Sequence, residues 1–148
     1  MLAGRWLMLK KLLVAVDGSK SSEKALQTAI DLTKALGGSL TLVSVAPFHA
    51  LPAATASAIP MIHEAEVKAH QDLLAQLDTQ VAKAGLKAST VLLDGLVSDE
   101  ILHYLDQHPY DLLIMGARGL STGQRLFLGS VSDAVVHHAK LPVLIVRQ

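Results

Sequence analysis

A chain of 148 residues has the length of one ordinary domain and can bury roughly 70% of its unfolded surface. Its composition is globular, 51% hydrophobic and 18% charged, and 13 Lys plus Arg against 13 Asp plus Glu leave a formal net charge of +0, which excludes holding nucleic acid or an anionic membrane by bulk charge. The absence of cysteine excludes disulfide staples, thiol catalysis and Cys-ligated metal centres, and 3% aromatics leave no stacking platform for single-stranded bases.

The opening residues, MLAGRWLMLKK, hold an apolar stretch too short and too broken by Arg5 to be a signal-peptide core. No run of about 20 apolar residues occurs anywhere, so no membrane-spanning segment is expected. The expected setting is the cytoplasm. Residues 1–9, with Trp6, read as an N-terminal extension, and residues 10–148 as one domain.

Five short apolar runs follow in order, at residues 12–16, 40–46, 88–93, 112–115 and 143–146. Most are rich in Val, Leu and Ile without alternation, as strands buried on both faces of a parallel sheet should be. Helical periodicity fills the intervals. Ala25, Ala29, Ile30, Thr33 and Leu36 share a face after the Ser-rich residues 19–22, and Gly37-Gly38 closes that helix. Ile62, Ala65, Ala69, Leu73, Leu77, Val81 and Ala84 form a longer stripe ended by Gly85, with Glu64, Glu66, Lys68, Asp72 and Asp78 on the solvated face. Ser98 is the expected N-cap of a third helix, with Asp99 and Glu100 in its first turn and Ile101, Leu102 and Leu105 inward, stopping before Pro109. A fourth helix is expected over residues 130–139.

This β-α-β-α-β-α-β-α-β alternation predicts an α/β fold: one open five-stranded parallel sheet with right-handed crossovers and helices on both faces. Residues 47–60, rich in Ala, Pro and Ser, are the one long connection, expected as a mobile loop over the sheet's carboxyl edge.

In such a sheet ligands bind beyond the carboxyl ends of the strands, at the switch point. The first strand is followed by Asp17-Gly18-Ser19. The fourth is followed by Gly116-Ala117-Arg118-Gly119, then Gly129-Ser130 at the start of a helix. Glycines let backbone N–H groups approach an anion, and the helix start adds the positive end of its dipole. A plainer alternative is that Ser130 only caps the helix, with Asp133 completing a capping box. The spacing alone leaves both open. A P-loop would need Gly-Lys-Ser/Thr where the chain has Gly123-Gln124-Arg125, and a Rossmann Gly-x-Gly-x-x-Gly does not follow the first strand. Asp17 also stands where a flavin phosphate would lie, and suits sugar hydroxyls or an amine better.

Taken together, Asp17-Gly18-Ser19, Met115-Gly116-Ala117-Arg118-Gly119, Gly129-Ser130-Val131-Ser132 and the closing Pro142-Val143-Leu144-Ile145-Val146 resemble the universal stress protein family. The resemblance spans residues 10–147, and its Gly-x2-Gly-x9-Gly-Ser spacing marks the ATP-binding branch. It implies strand order 3-2-1-4-5, a Rossmann-like arrangement. It also implies an ATP site in which Ala15, Val16 and Asp17 border the adenosine and Val45 offers backbone groups to the adenine. Met115, Gly116, Arg118 and Gly119 would line the ribose and phosphate side, and Gly129, Ser130, Val131 and Ser132 would hold the phosphates. Any Mg2+ would arrive with the nucleotide.

The remaining polar residues suggest no catalytic or metal centre. His137 and His138 are adjacent, so they diverge on a helix and instead complement its negative end. His63 and His70 could share a face, but no carboxylate pairing makes a metal site with them. Asp94-Gly95 reads as a turn. Asp17 has no His or Ser partner for a triad. Phosphoryl transfer needs a base and metal carboxylates that are not evident, so a regulatory ATP-binding protein is expected. A slow ATP-hydrolysing enzyme and a nucleotide-independent dimeric interaction module are the alternatives. The implied strand order leaves Val143, Leu144, Ile145 and Val146 at an apolar edge, which a homodimer would cover.

Overall fold

The computed structural model describes residues 8–48, 52, 57–118 and 128–148. Nine elements alternate as β1 (Lys11–Ala15), α1 (Lys20–Leu36), β2 (Ser39–Pro47), α2 (Ile59–Lys83), β3 (Ala88–Gly95), α3 (Val97–Gln107), β4 (Leu112–Gly116), α4 (Ser130–His138) and β5 (Val143–Val146). The strands form one sheet in the order β3-β2-β1-β4-β5, and every neighbouring pair is parallel. The expected architecture and strand order are both found. The expected connection over residues 47–60 is shorter than its sequence suggested, because Pro47 ends β2 and Ile59 and Pro60 begin α2; residues 49–51 and 53–56, the extension up to Leu7 including Trp6, and Gly119 lie outside the described residues.

Because strand side chains alternate between faces, β1 divides its residues between two cores. Leu12, Val14 and Val16 pack with α1 and α2 through Leu26, Ile30, Leu77 and Val81. Leu13 and Ala15 face the other way, toward Val43, Val45, Met115, Ile101 of α3 and Val135 of α4. The central strands are therefore apolar at successive positions, as their sequence runs foretold. At the amino edge, Asp111 accepts from the Lys10 and Lys11 amides at 3.0 and 2.8 Å, fastening the start of β1 beside that of β4.

Helix α1 begins at Ser19, whose Oγ accepts from the Ser22 amide at 3.2 Å. It ends at Gly37 with φ 61°, in the left-handed region that glycine enters without steric cost.

Three expectations about helices require correction. In α2 the buried positions are Leu74, Leu77 and Val81, whereas Ala65 and Ala69 are exposed. Counting back from Leu77 by 3.6 residues per turn reaches His70, Glu66 and His63, so the inward face becomes polar toward its amino end. Glu66, expected on the solvated face, is half-buried there. Helix α3 starts after Leu96, not at Ser98, because the Glu100 amide already donates to the Leu96 carbonyl at 2.9 Å. Ser98 therefore lies inside the first turn and caps nothing. In α4 the N-cap is Gly129, with no side-chain capping bond, so a Ser130–Asp133 capping box is not formed.

Candidate functional site

Strands β1 and β4 lie side by side at the centre of the sheet, but the chain leaves them in opposite directions. After β1 it turns onto the face that carries α1 and α2, and after β4 onto the face that carries α3 and α4. This divergence opens a crevice at the carboxyl edge. Ala15, Val16 and Asp17 form one lip. Met115, Gly116 and Arg118 form the other, and Gly129 to Ser132 bring the start of α4 to it.

The β1–α1 lip is held by serines. Asp17 Oδ1 accepts from the Ser19 amide at 2.9 Å, an Asx turn that fixes the carboxylate and leaves Oδ2 for another donor. The Asp17 amide donates to Ser22 Oγ at 3.3 Å. Ser19 Oγ reaches across the crevice to the Arg118 carbonyl at 3.4 Å, tying the lips together. Phe48 of the β2 end donates its amide to Gly95 of β3, so by backbone alternation the Val45 amide is directed at β1 and the crevice. Side chains divide differently: Val16 is buried in the α1/α2 core, while Ala15, Val45, Met115 and Val131 belong to the opposite core beneath the site.

The other lip depends on the Ala117 carbonyl. It accepts from the Gly129 amide at 2.7 Å and from Ser132 Oγ at 2.7 Å, which pins the start of α4 against the end of β4. The first intrahelical bond runs from the Asp133 amide to Gly129 at 2.9 Å, so the Ser130, Val131 and Ser132 amides are the orphan donors of the helix start. No described side chain caps them. The Ser130 side chain is exposed. Ser132 is 1% exposed, and its hydroxyl is engaged with Ala117, so its amide is the group it offers to a ligand. The helix dipole adds partial positive charge at this point.

Gly116 requires a different explanation from the one its motif suggests. A Cβ there would stand 2.6 Å from Ser21 Oγ and 2.7 Å from the Ser21 backbone carbon. The missing side chain allows α1 to pack against β4; it is not there to admit an anion. Ser21 Oγ also accepts from the Arg118 amide at 3.4 Å.

Sequence reasoning missed a polar group on α2. Ser44 Oγ lies 2.7 Å from both the Val16 carbonyl and His70 Nδ1, and His70 Nε2 is 3.7 Å from Glu66. His63 Nε2 meets Asp94 Oδ2 at 2.9 Å. Glu66 and His70 are four residues apart, and Ser44 interrupts an apolar strand; those were the only signals available. Among the described residues no three His, Asp or Glu converge as metal ligands. His137 Nδ1 lies 2.8 Å from the Asp133 carbonyl, which fits its expected place at the carboxyl end of α4. No described helix is long and apolar enough to cross a membrane.

Comparison with known proteins places this geometry among relatives. A family model described as the universal stress protein family matches residues 8–147. The universal stress protein YxiE of Bacillus subtilis is 32% identical, with 95% of this chain and 100% of that protein covered. Among solved structures, universal stress protein UspA from Lactobacillus plantarum superposes with TM-score 0.85 at 27% identity, over 94% of this chain and 98% of its own. A universal stress protein in complex with cAMP superposes with TM-score 0.68 at 25% identity, over 93% and 96%.

Proposed function

The chain belongs to the universal stress protein family, and from that premise we propose that it is a regulatory protein that binds an adenine nucleotide, ATP, between the ends of β1 and β4. One observation carries the reading: α4 starts uncapped at Gly129 and is pinned by the Ala117 carbonyl beside the Asp17 lip. A helix start whose first amides meet no capping side chain among the described residues suits phosphate oxygens. The relative crystallised with cAMP supports adenine nucleotide as the ligand class.

The residues present fit such a ligand. The Ser130, Val131 and Ser132 amides and the Ser130 hydroxyl would hold phosphates. Arg118 and the end of β4 at Met115 and Gly116 would border the ribose and phosphate side. The free Oδ2 of Asp17 would accept from sugar hydroxyls. The Val45 amide, with Ala15 and Val16 alongside, would meet the adenine. A bound nucleotide would bring its own Mg2+. The reading is of a binding protein, with any hydrolysis of the nucleotide slow.

We further propose a homodimer through β5. Val143, Leu144, Ile145 and Val146 are each only half-buried, and β5 ends the sheet; an apolar edge of this kind is covered most simply by its own copy across a two-fold axis.

Heat release and chromatography of the purified protein, followed by calorimetric titration with ATP, test the ligand. Nucleotide near one per chain, remaining intact on prolonged incubation, supports the proposal; a chain that ignores millimolar ATP refutes it. Sedimentation at micromolar concentration tests the dimer, which a strictly monomeric boundary would refute.

A further inference from the structure

Helix α2 presents a polar face to the sheet at the level where β1 and β2 end. Ser44 is 1% exposed, so its hydroxyl cannot meet a substrate, and the Ser44–His70–Glu66 array is not a nucleophilic triad. Its hydrogen-bond arithmetic is informative nonetheless. Ser44 Oγ stands 2.7 Å from the Val16 carbonyl and 2.7 Å from His70 Nδ1. One hydroxyl proton cannot serve two acceptors, and the carbonyl can only accept. Ser44 therefore holds Val16 when His70 Nδ1 carries a proton and donates to Oγ.

On the other side of the ring, the Glu66 carboxylate, 3.7 Å from Nε2, favours a proton on Nε2. Only the imidazolium, with a proton on each nitrogen, meets both demands. A neutral ring that keeps its proton toward Glu66 turns Nδ1 into an acceptor. It then draws the Ser44 hydroxyl to itself and releases the Val16 carbonyl. That carbonyl belongs to the planar peptide unit whose N–H is the Asp17 amide, bonded in turn to Ser22 Oγ. Tilting this peptide moves the lip that carries the Asp17 carboxylate.

We propose that His70 is a positioning residue of the nucleotide site: its ring, acting through Ser44, sets the Val16–Asp17 peptide, and the charged ring gives the tighter nucleotide complex. The proposal rests on the nucleotide reading above. Among the described residues, the charged or titrating groups around His70 are Glu66 on its own helix, itself engaged in a further interaction, and, at the same edge of the sheet, the His63–Asp94 pair joining α2 to β3 and Asp17 at the end of β1. Affinity then falls as pH rises.

The test is calorimetric titration of the full chain with ATP at about pH 6 and about pH 8, for the wild type, His70→Gln and His63→Gln. In His70→Gln the introduced side-chain amide can donate to Ser44 Oγ at either pH. The wild type should lose affinity by about 5-fold or more across the interval. The His70→Gln variant should show only the dependence due to the nucleotide's own ionisation, which all variants share, and His63→Gln should keep the wild-type slope. Equal slopes for the wild type and His70→Gln would overturn the proposal, as would loss of the slope in His63→Gln alone. A wild type that binds no ATP at either pH refutes the nucleotide reading. The relay is then judged by NMR without ligand: a Val16 carbonyl-carbon resonance that moves together with the His70 ring resonances between the two pH values supports it, and one that moves independently of the ring overturns it.

Discussion

Replacing Gly116 by alanine should damage the fold before it damages any ligand site. The added Cβ meets Ser21 Oγ at 2.6 Å, Ser21 C at 2.7 Å and Ser21 Cβ at 2.8 Å, all well inside van der Waals contact. The Ser21 backbone carbon belongs to the first turn of α1 and cannot rotate away as a side-chain tip could. Relief requires α1 to slide from β4, and overpacking of this kind costs about 1–3 kcal/mol. For a domain of this size each kcal/mol lowers Tm by about 2–4 °C. Urea and thermal unfolding of Gly116→Ala should therefore show a Tm drop of about 2–12 °C with an unchanged m-value. Adding Ser21→Gly removes the Oγ and Cβ contacts and should recover part of the loss, in excess of what the single variants sum to. A Gly116→Ala protein with wild-type stability and no nucleotide binding would refute the packing argument and return Gly116 to the ligand.

Gly129 should behave in the opposite way. Its φ of -65° and ψ of 161° are open to any residue, so Gly129→Val is expected to keep Tm within about 2 °C while calorimetry shows ATP binding lost. Ser19→Ala removes the cap of α1 and the link to Arg118, and should cost about 1 kcal/mol in urea unfolding. The Tyr104 hydroxyl at the end of α3 is pushed up to about 12 by burial and by its hydrogen bond to Tyr110. The folded state therefore keeps a proton that the unfolded chain loses near 10, and stability should decline between about pH 10 and pH 12. Tyr104→Phe should flatten that decline, as measured by Tm against pH.

The sheet was legible because its central strands are buried on both faces and so read as unbroken apolar runs. The switch-point loops were legible because glycines and an aspartate follow β1 and β4. Reading α2 from its apolar residues alone put Ala65 and Ala69 inside. The helix instead turns His63, Glu66 and His70 inward, where a polar residue of β2 and the carboxylate of Asp94 receive them; such pairings join residues distant in sequence and leave no periodic trace. Gly116 shows the same limit. A glycine required by a helix packed against it looks, in sequence, like a glycine required by a phosphate. Ser98 misled because serine favours helix starts in general, whereas this start is set by where the chain leaves β3.

The double acceptance at the Ala117 carbonyl has an evolutionary consequence. Because Gly129 and Ser132 close onto the residue that follows β4, the described residues on either side of positions 119–127 are held together. Lengthening a segment between fixed ends is cheap, about 0.6 kcal/mol for each doubling. Insertions, deletions and changes of composition there can accumulate without disturbing the sheet or the start of α4. Selection on the length of that stretch is thus separated from selection on the scaffold, which a lineage can inherit unchanged.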